Sequence, residues 1–183
     1  MEIYTMLLIF IAAIAFLVII AYNGLISLKN QVKNAWAQID VQLKRRNDLI
    51  PNLVEAVKGY MKYEKSALKE ITKARAGIMN ARSVEGKAKA SSQLTDALKS
   101  FFAVAENYPK LKASNNFMHL QEEISGTENK IAYSRQYYND VVMAYNTRIQ
   151  VFPQSIIANI FKFKKMDSFL ASESERKNVE IRL

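Results

Sequence analysis

Histidine occurs once in the chain, at His119, and cysteine not at all. A chain so equipped has no thiolate ligand or nucleophile, no disulfide framework, and no room for a His-rich metal cluster. One histidine also leaves no room for a protein made only of His-centred relays. Glu122 and Glu123 lie beside His119, but adjacent residues on a helix diverge and cannot readily share a proton. A second polar set comprises Arg45, Arg46 and Asp48, together with Glu128, Asn129, Arg135, Asn139, Asp140, Asn146 and Arg148 further on. One account is a ligand pocket or a carboxylate pair inside a helical core. The plainer one is a set of buried hydrogen-bonded pairs that fix helix register, a documented use of polar groups in such cores. The plainer account is adopted: no catalytic, cofactor or metal residues are assigned, and no enzymatic activity is expected.

Two basic stretches remain. Lys58, Lys62, Lys65, Lys69 and Lys73 recur every three or four residues and would share one helical face. A nucleic-acid groove would add aromatics placed to stack bases. Only Tyr60 and Tyr63 come close, so no nucleic acid is expected. The stripe reads as a solvated face partly paired with Glu55 and Glu70, or as a polar partner face. The second stretch, 153–170, sets Ile156, Ile157, Ile160, Phe161 and Phe163 beside Lys162, Lys164 and Lys165. An apolar face with a lysine rim suits the headgroup region of a membrane. The same residues could instead plug the end of a bundle or meet another subunit.

These groups must be positioned by long helices. The chain has 183 residues, 50% of them hydrophobic and 23% charged, with five glycines and three prolines. That is too apolar for disorder, and too poor in turn residues for a many-stranded sandwich. The net charge of +9 is unevenly spread, for Ile3 to Leu28 contain no charged residue. The stretch from Ile3 to Tyr22 would span roughly 30 Å as a helix, a bilayer's hydrocarbon thickness, with Tyr4 and Tyr22 at its interfaces. A cleaved signal peptide fits less well: no Lys or Arg precedes the run, it exceeds a signal core, and no small-residue cleavage site follows. Only Glu2 is charged before the span, whereas Lys29, Lys33, Lys44, Arg45 and Arg46 follow it. That asymmetry favours a cytoplasmic main domain, with the periplasmic or extracellular side left open because long domains can cross regardless of charge.

Beyond the span the apolar residues step by three and four. Leu25, Leu28, Val32, Ala35, Ile39 and Leu43 extend the first helix to about Asn47. Pro51 fits the first turn of a second helix, whose seam runs through Ile50, Val54, Val57, Met61, Leu68, Ile71 and Ile78, interrupted by Glu64 and Arg75, to about Asn80. Ser83 and Gly86 mark a turn. Ala88, Leu94, Leu98, Phe101, Ala105 and Tyr108 then form a third stripe, ended by Pro109. The fourth runs from Asn115 through Phe117, Leu120, Ile124, Ile131, Tyr138, Val141, Tyr145, Ile149 and Phe152 to Pro153, with Thr127 and Ser134 on core positions. The expected fold is all-α: a transmembrane helix continuing into an antiparallel four-helix bundle. The expected domains are an anchor over 1–24, a bundle over 25–170 and a polar tail over 171–183, with a short strand-like end at Val179 to Leu183.

Nearly the whole chain resembles the LemA family. The resemblance is carried by the N-terminal span, Arg45-Arg46-Asn47-Asp48-Leu49-Ile50-Pro51-Asn52-Leu53-Val54, Val57-Lys58-Gly59-Tyr60 and Tyr108-Pro109-Lys110-Leu111-Lys112-Ala113. Thr127-Glu128-Asn129, Arg135, Tyr138-Asn139-Asp140, Tyr145-Asn146 and Phe152-Pro153 continue it. Tyr63 stands where the family usually has histidine, and the tail after Phe169 is only loosely similar. The resemblance implies a bacterial or archaeal single-pass membrane protein with a helical bundle, and it constrains the fold more than the function. The expected role is a membrane-anchored, non-catalytic scaffold or adaptor, self-assembling at the cell membrane. Its partners would be lipids, further copies of itself and other membrane proteins. The alternative is a membrane-tethered sensor or ligand-binding bundle.

Overall fold

The computed structural model describes residues 1–61 and 64–169. Lys62, Tyr63 and the tail with its expected strand-like end lie outside the described residues. Among the described residues every regular element is a helix: α1 (Glu2–Val57), α2 (Lys65–Asn80), α3 (Val84–Ala105), α4 (Pro109–Lys112), α5 (Asn115–Arg148) and α6 (Gln154–Ile160). The all-α class follows from the three-and-four spacing of the apolar residues. The chain divides into two compact units, one of Met1–Ala37 with Tyr137–Asp167, the other of Gln38–Gln136 with Ser168 and Phe169.

In the first unit the start of α1 is apolar on every side and exposed among the described residues. Its most apolar window has a mean hydropathy of 3.0 and no buried residue. α1 is thus long and apolar enough to cross a membrane. From Leu25 onward one stripe turns inward, with Leu25, Val32 and Ala35 buried. The same unit buries Tyr138, Val141, Val142, Tyr145 and Ile149 of α5, and Ile157 and Ala158 of α6. Trp36 stacks obliquely on Tyr138, their ring centres 5.5 Å apart.

In the second unit one core draws on five helices: Ile50, Leu53 and Val57 of α1, Ile71, Ala74 and Ile78 of α2, Leu94, Leu98, Phe101 and Ala105 of α3, Leu111 of α4, and Phe117 and Ile124 of α5. Each large side chain fully removed from water contributes about 1.5–3 kcal/mol. Thr127 and Ser134 are buried where the seam placed them. Ser83 caps α3, its Oγ accepting from the Gly86 amide at 3.0 Å. A Cβ on Gly86 would come within 2.9 Å of that oxygen, so glycine lets the cap close.

Three boundaries differ from the sequence expectation. The first helix does not stop near Asn47, and no second helix starts at Pro51; α1 runs through Pro51 to Val57. A proline inside a helix leaves the carbonyl four residues earlier without its partner. Here that carbonyl belongs to Asn47, and Arg75 Nε of α2 donates to it at 3.2 Å. The residue that interrupted the second seam therefore supplies the bond that Pro51 removes. Glu64, the other interruption, precedes α2 and accepts from the Tyr108 hydroxyl at 3.1 Å. Burial first, then that carboxylate, raises the Tyr108 pKa above its ordinary value. Second, α3 begins at Val84, so Gly86 lies within its first turn rather than before it. Third, α5 ends at Arg148, and Phe152, expected on the seam, is 80% exposed because the helical register stops before reaching it.

Candidate functional site

Among the described residues of the second unit, the buried charge is Arg46, a core position on α1 with no exposed surface. Its Nη1 pairs with Glu128 Oε2 of α5 and donates to Thr95 Oγ1 of α3 at 3.0 Å. Its Nη2 donates to Ser91 Oγ at 2.8 Å and to the Ser91 carbonyl at 3.2 Å. The Thr95 hydroxyl donates in turn to Glu128 Oε1 at 3.0 Å. Three helices are thereby tied at one level. Burial, with a smaller contribution from the Arg135 charge, lowers the Arg46 pKa to about 10, which leaves it protonated at neutral pH. A carboxylate engaged through both oxygens is a structural counter-ion, and the arrangement matches register-fixing pairs better than a catalytic couple. Arg46 and Glu128 were both visible as polar residues in a helical pattern. Ser91 and Thr95 were not singled out, because small hydroxyl residues in a helix carry no signal of what they face.

The other polar residues are spread more loosely. Arg45 reaches Glu123 at 3.4 Å across the surface. His119, Glu122 and Glu123 line a shallow depression of about 280 Å³ with Arg45, Gly126, Thr127 and Lys130. Glu123 is engaged by Arg45, and Glu122 and His119 are exposed. Lys58 lies in the turn after α1 and pairs with Glu55 at 2.5 Å. The expected five-lysine face is therefore not one helical face: Lys65, Lys69 and Lys73 share a face of α2 and are exposed, while Lys58 belongs to the preceding turn and Lys62 lies outside the described residues.

The stretch after α5 is the most organised. Ile157 and Ala158 of α6 are buried, whereas Ile156, Ile160 and Phe161 are 52%, 66% and 49% exposed. α6 closes with Phe163 N–H donating to the Ala158 carbonyl at 2.8 Å and Lys162 N–H to the Asn159 carbonyl at 3.2 Å. That paired closure puts the intervening residue in the left-handed region, usually a glycine; here it is Lys162, at φ 56°. The aromatic rings then meet α1. Phe161 and Phe163 lie 4.7 and 5.9 Å from the Tyr22 ring centre, and Lys29 Nζ stands 5.7 Å over Phe163.

From Phe163 onward the backbone is non-helical and is held by α5 side chains. Tyr145 donates to the Lys164 carbonyl at 3.0 Å and Tyr138 to the Asp167 carbonyl at 2.8 Å. Asn146 bonds Met166 twice, Nδ2 to its carbonyl at 2.8 Å and Oδ1 from its amide at 2.9 Å. The strap formed by 163–167 was missed in the sequence, where the whole stretch read as one amphipathic segment. In the second unit, Arg135 covers the ring of the buried Phe169 at 4.6 Å.

The LemA family model matches residues 35–183. The chain belongs to the LemA family. The LemA match includes Arg46, Glu128, Tyr138, Tyr145 and Asn146, and begins after the exposed apolar stretch of α1. Protein LemA of Metamycoplasma hominis is 30% identical over 163 residues, covering 86% of this chain and 73% of the relative. Magnetosome protein MamQ of Magnetospirillum gryphiswaldense is 24% identical over 174 residues, covering 81% of this chain and 64% of its own length. Magnetosome protein MamQ 2 of Paramagnetospirillum magneticum is 23% identical over 188 residues, covering 87% and 69%.

Proposed function

We propose that this LemA protein is a membrane-anchored, non-catalytic scaffold or adaptor that self-assembles at the cell membrane. In this reading 1–24 is the anchor and 25–170 an antiparallel four-helix bundle on the cytoplasmic side. The observation that carries it is α1: an exposed, uncharged apolar stretch of bilayer length runs without a break into a helix whose buried stripe belongs to a packed core. Such a helix ties the anchor to the bundle, as a scaffold requires. The charged residues add support, since Arg46 and Glu128 are engaged with each other rather than held open to a ligand. The relatives named as magnetosome proteins suit a membrane-associated role.

The alternative is a membrane-tethered sensor or ligand-binding bundle, favoured by the same unbroken α1 and by the shallow depression around His119. Particle size of the full chain in mild detergent separates the two. A scaffold gives a large, regular oligomer, and a sensor a monomer or dimer. A monodisperse monomer across a wide concentration range removes the scaffold reading. The orientation is checked by labelling single cysteines placed at Lys89 in intact cells, where a cytoplasmic bundle leaves them unmodified by an impermeant reagent.

A further inference from the structure

We propose that the segment from Gln154 to Lys165 is a second membrane contact, its outer face lying in the headgroup region of an anionic bilayer. The proposal rests on the reading of the α1 stretch as a span. Tyr22 is the last residue of that stretch, and the Phe161 and Phe163 rings pack on it at 4.7 and 5.9 Å. Once the stretch is in the bilayer, those contacts fix the segment at the interface, where aromatic rings collect.

The side chains divide accordingly. Ile157 and Ala158 face inward, while Ile156, Ile160 and Phe161 are about half exposed or more. Of the outward residues, Phe161 meets Tyr22 of α1 directly. Lys162, Lys164 and Lys165 are exposed beside them, and no Asp or Glu occurs from Ile149 to Met166. A face with that charge matches anionic lipid and repels a second copy of itself, which decides between lipid and self-contact. Lys162 also holds the left-handed position where glycine is the usual occupant. A lysine there retains a charge at the rim despite a less favourable backbone.

The chain has no cysteine, so a single introduced one carries a spin label alone. The full chain is reconstituted into nanodiscs of phosphatidylcholine with phosphatidylglycerol. Labels are placed by Ile156→Cys, Ile160→Cys, Phe10→Cys in the span and Lys89→Cys on α3. Collisions with oxygen report lipid, and those with a water-soluble nickel chelate report solvent. The labels at 156 and 160 should show a several-fold lower nickel collision rate than the label at 89, with high oxygen accessibility. Lys162→Glu with Lys164→Glu and Lys165→Glu should bring the nickel rate at 160 up toward that at 89, with helical content unchanged. Nickel access at 156 and 160 equal to that at 89, with the label at 10 still in lipid, overturns the second contact and leaves the span intact. Exclusion of both reagents means protein covers the face and also overturns it. A water-exposed label at 10 removes the span itself and the second contact with it.

Discussion

Asn47 has a backbone carbonyl that Pro51 cannot serve, and Arg75 serves it from a neighbouring helix. Replacing Arg75 by Met should leave that buried acceptor unpaired and cost about 1–3 kcal/mol. Pro51→Ala restores an amide in the α1 ladder, so the double variant should recover much of the loss, as read by urea denaturation. Equal losses in the single and double variants would show that Arg75 acts elsewhere. Arg46 admits a similar test. Its pKa of about 10 keeps it charged at neutral pH beside Glu128, so removing that partner takes the counter-ion from a buried charge. Glu128→Ala should then cost about 3 kcal/mol, whereas Arg46→Met with Glu128→Leu should lie close to the parent, since an apolar pair of similar volume avoids the desolvation cost. At this scale the charged residues were legible in the sequence and their partners were not. Arg46 and Glu128 stood among the polar residues offered as buried pairs, but the hydroxyls of Ser91 and Thr95 become partners only through the packing of α3 against α1.

Helix boundaries follow the same logic one level up. Proline at 51 has two readings, a first-turn residue or an interior one, and local propensity favours the first. The tertiary bond from Arg75 tips the balance to the second, and nothing local to residues 47–51 encodes it. Stripes were legible because burial repeats every three or four residues; the strap over 163–167 was not, because its bonds come from α5 side chains. Those bonds respond to pH. Burial, joined for Tyr138 by the nearby Asp167 charge, raises the Tyr138 and Tyr145 pKa values above the ordinary 10.0. A phenol held protonated in the folded state contributes stability that is complete below pH 10 and is lost as pH rises through the raised values. A phenolate also cannot donate to the Lys164 and Asp167 carbonyls. Thermal stability should therefore fall more steeply above pH 10 in the parent than in Tyr138→Phe with Tyr145→Phe, which should begin lower by about 1–3 kcal/mol for two bonds. Identical slopes in parent and variant would exclude these phenols as the cause.

For the molecule as a whole, the class, the family and the exposed apolar stretch were legible because each rests on composition or on many spaced residues. The division into two compact units was not, since α1 and α5 each contribute to both and their stripes run on without a mark at the boundary. Deleting residues 1–22 should leave a soluble, mostly helical protein, because the core residues of the second unit named above all lie beyond the deletion. Circular dichroism of 23–183 showing an unfolded chain would make the anchor part of the fold. Further along α5, Ile131 is fully buried, and Ile131→Asp should cost several kcal/mol by burying an unpaired charge. An unchanged melting temperature would place it outside the core.

Asn146 grips Met166 as one strand grips another, with an amide side chain in place of a partner backbone. The consequence is kinetic. The Met166 amide proton lies outside any helix, yet it exchanges with solvent only when the strap lifts, so its exchange rate times that lifting while the helices stay closed. Asn146→Ala should release this proton many-fold faster and leave the amides of α5 protected, turning one backbone position into a clock for the detachment of a single segment.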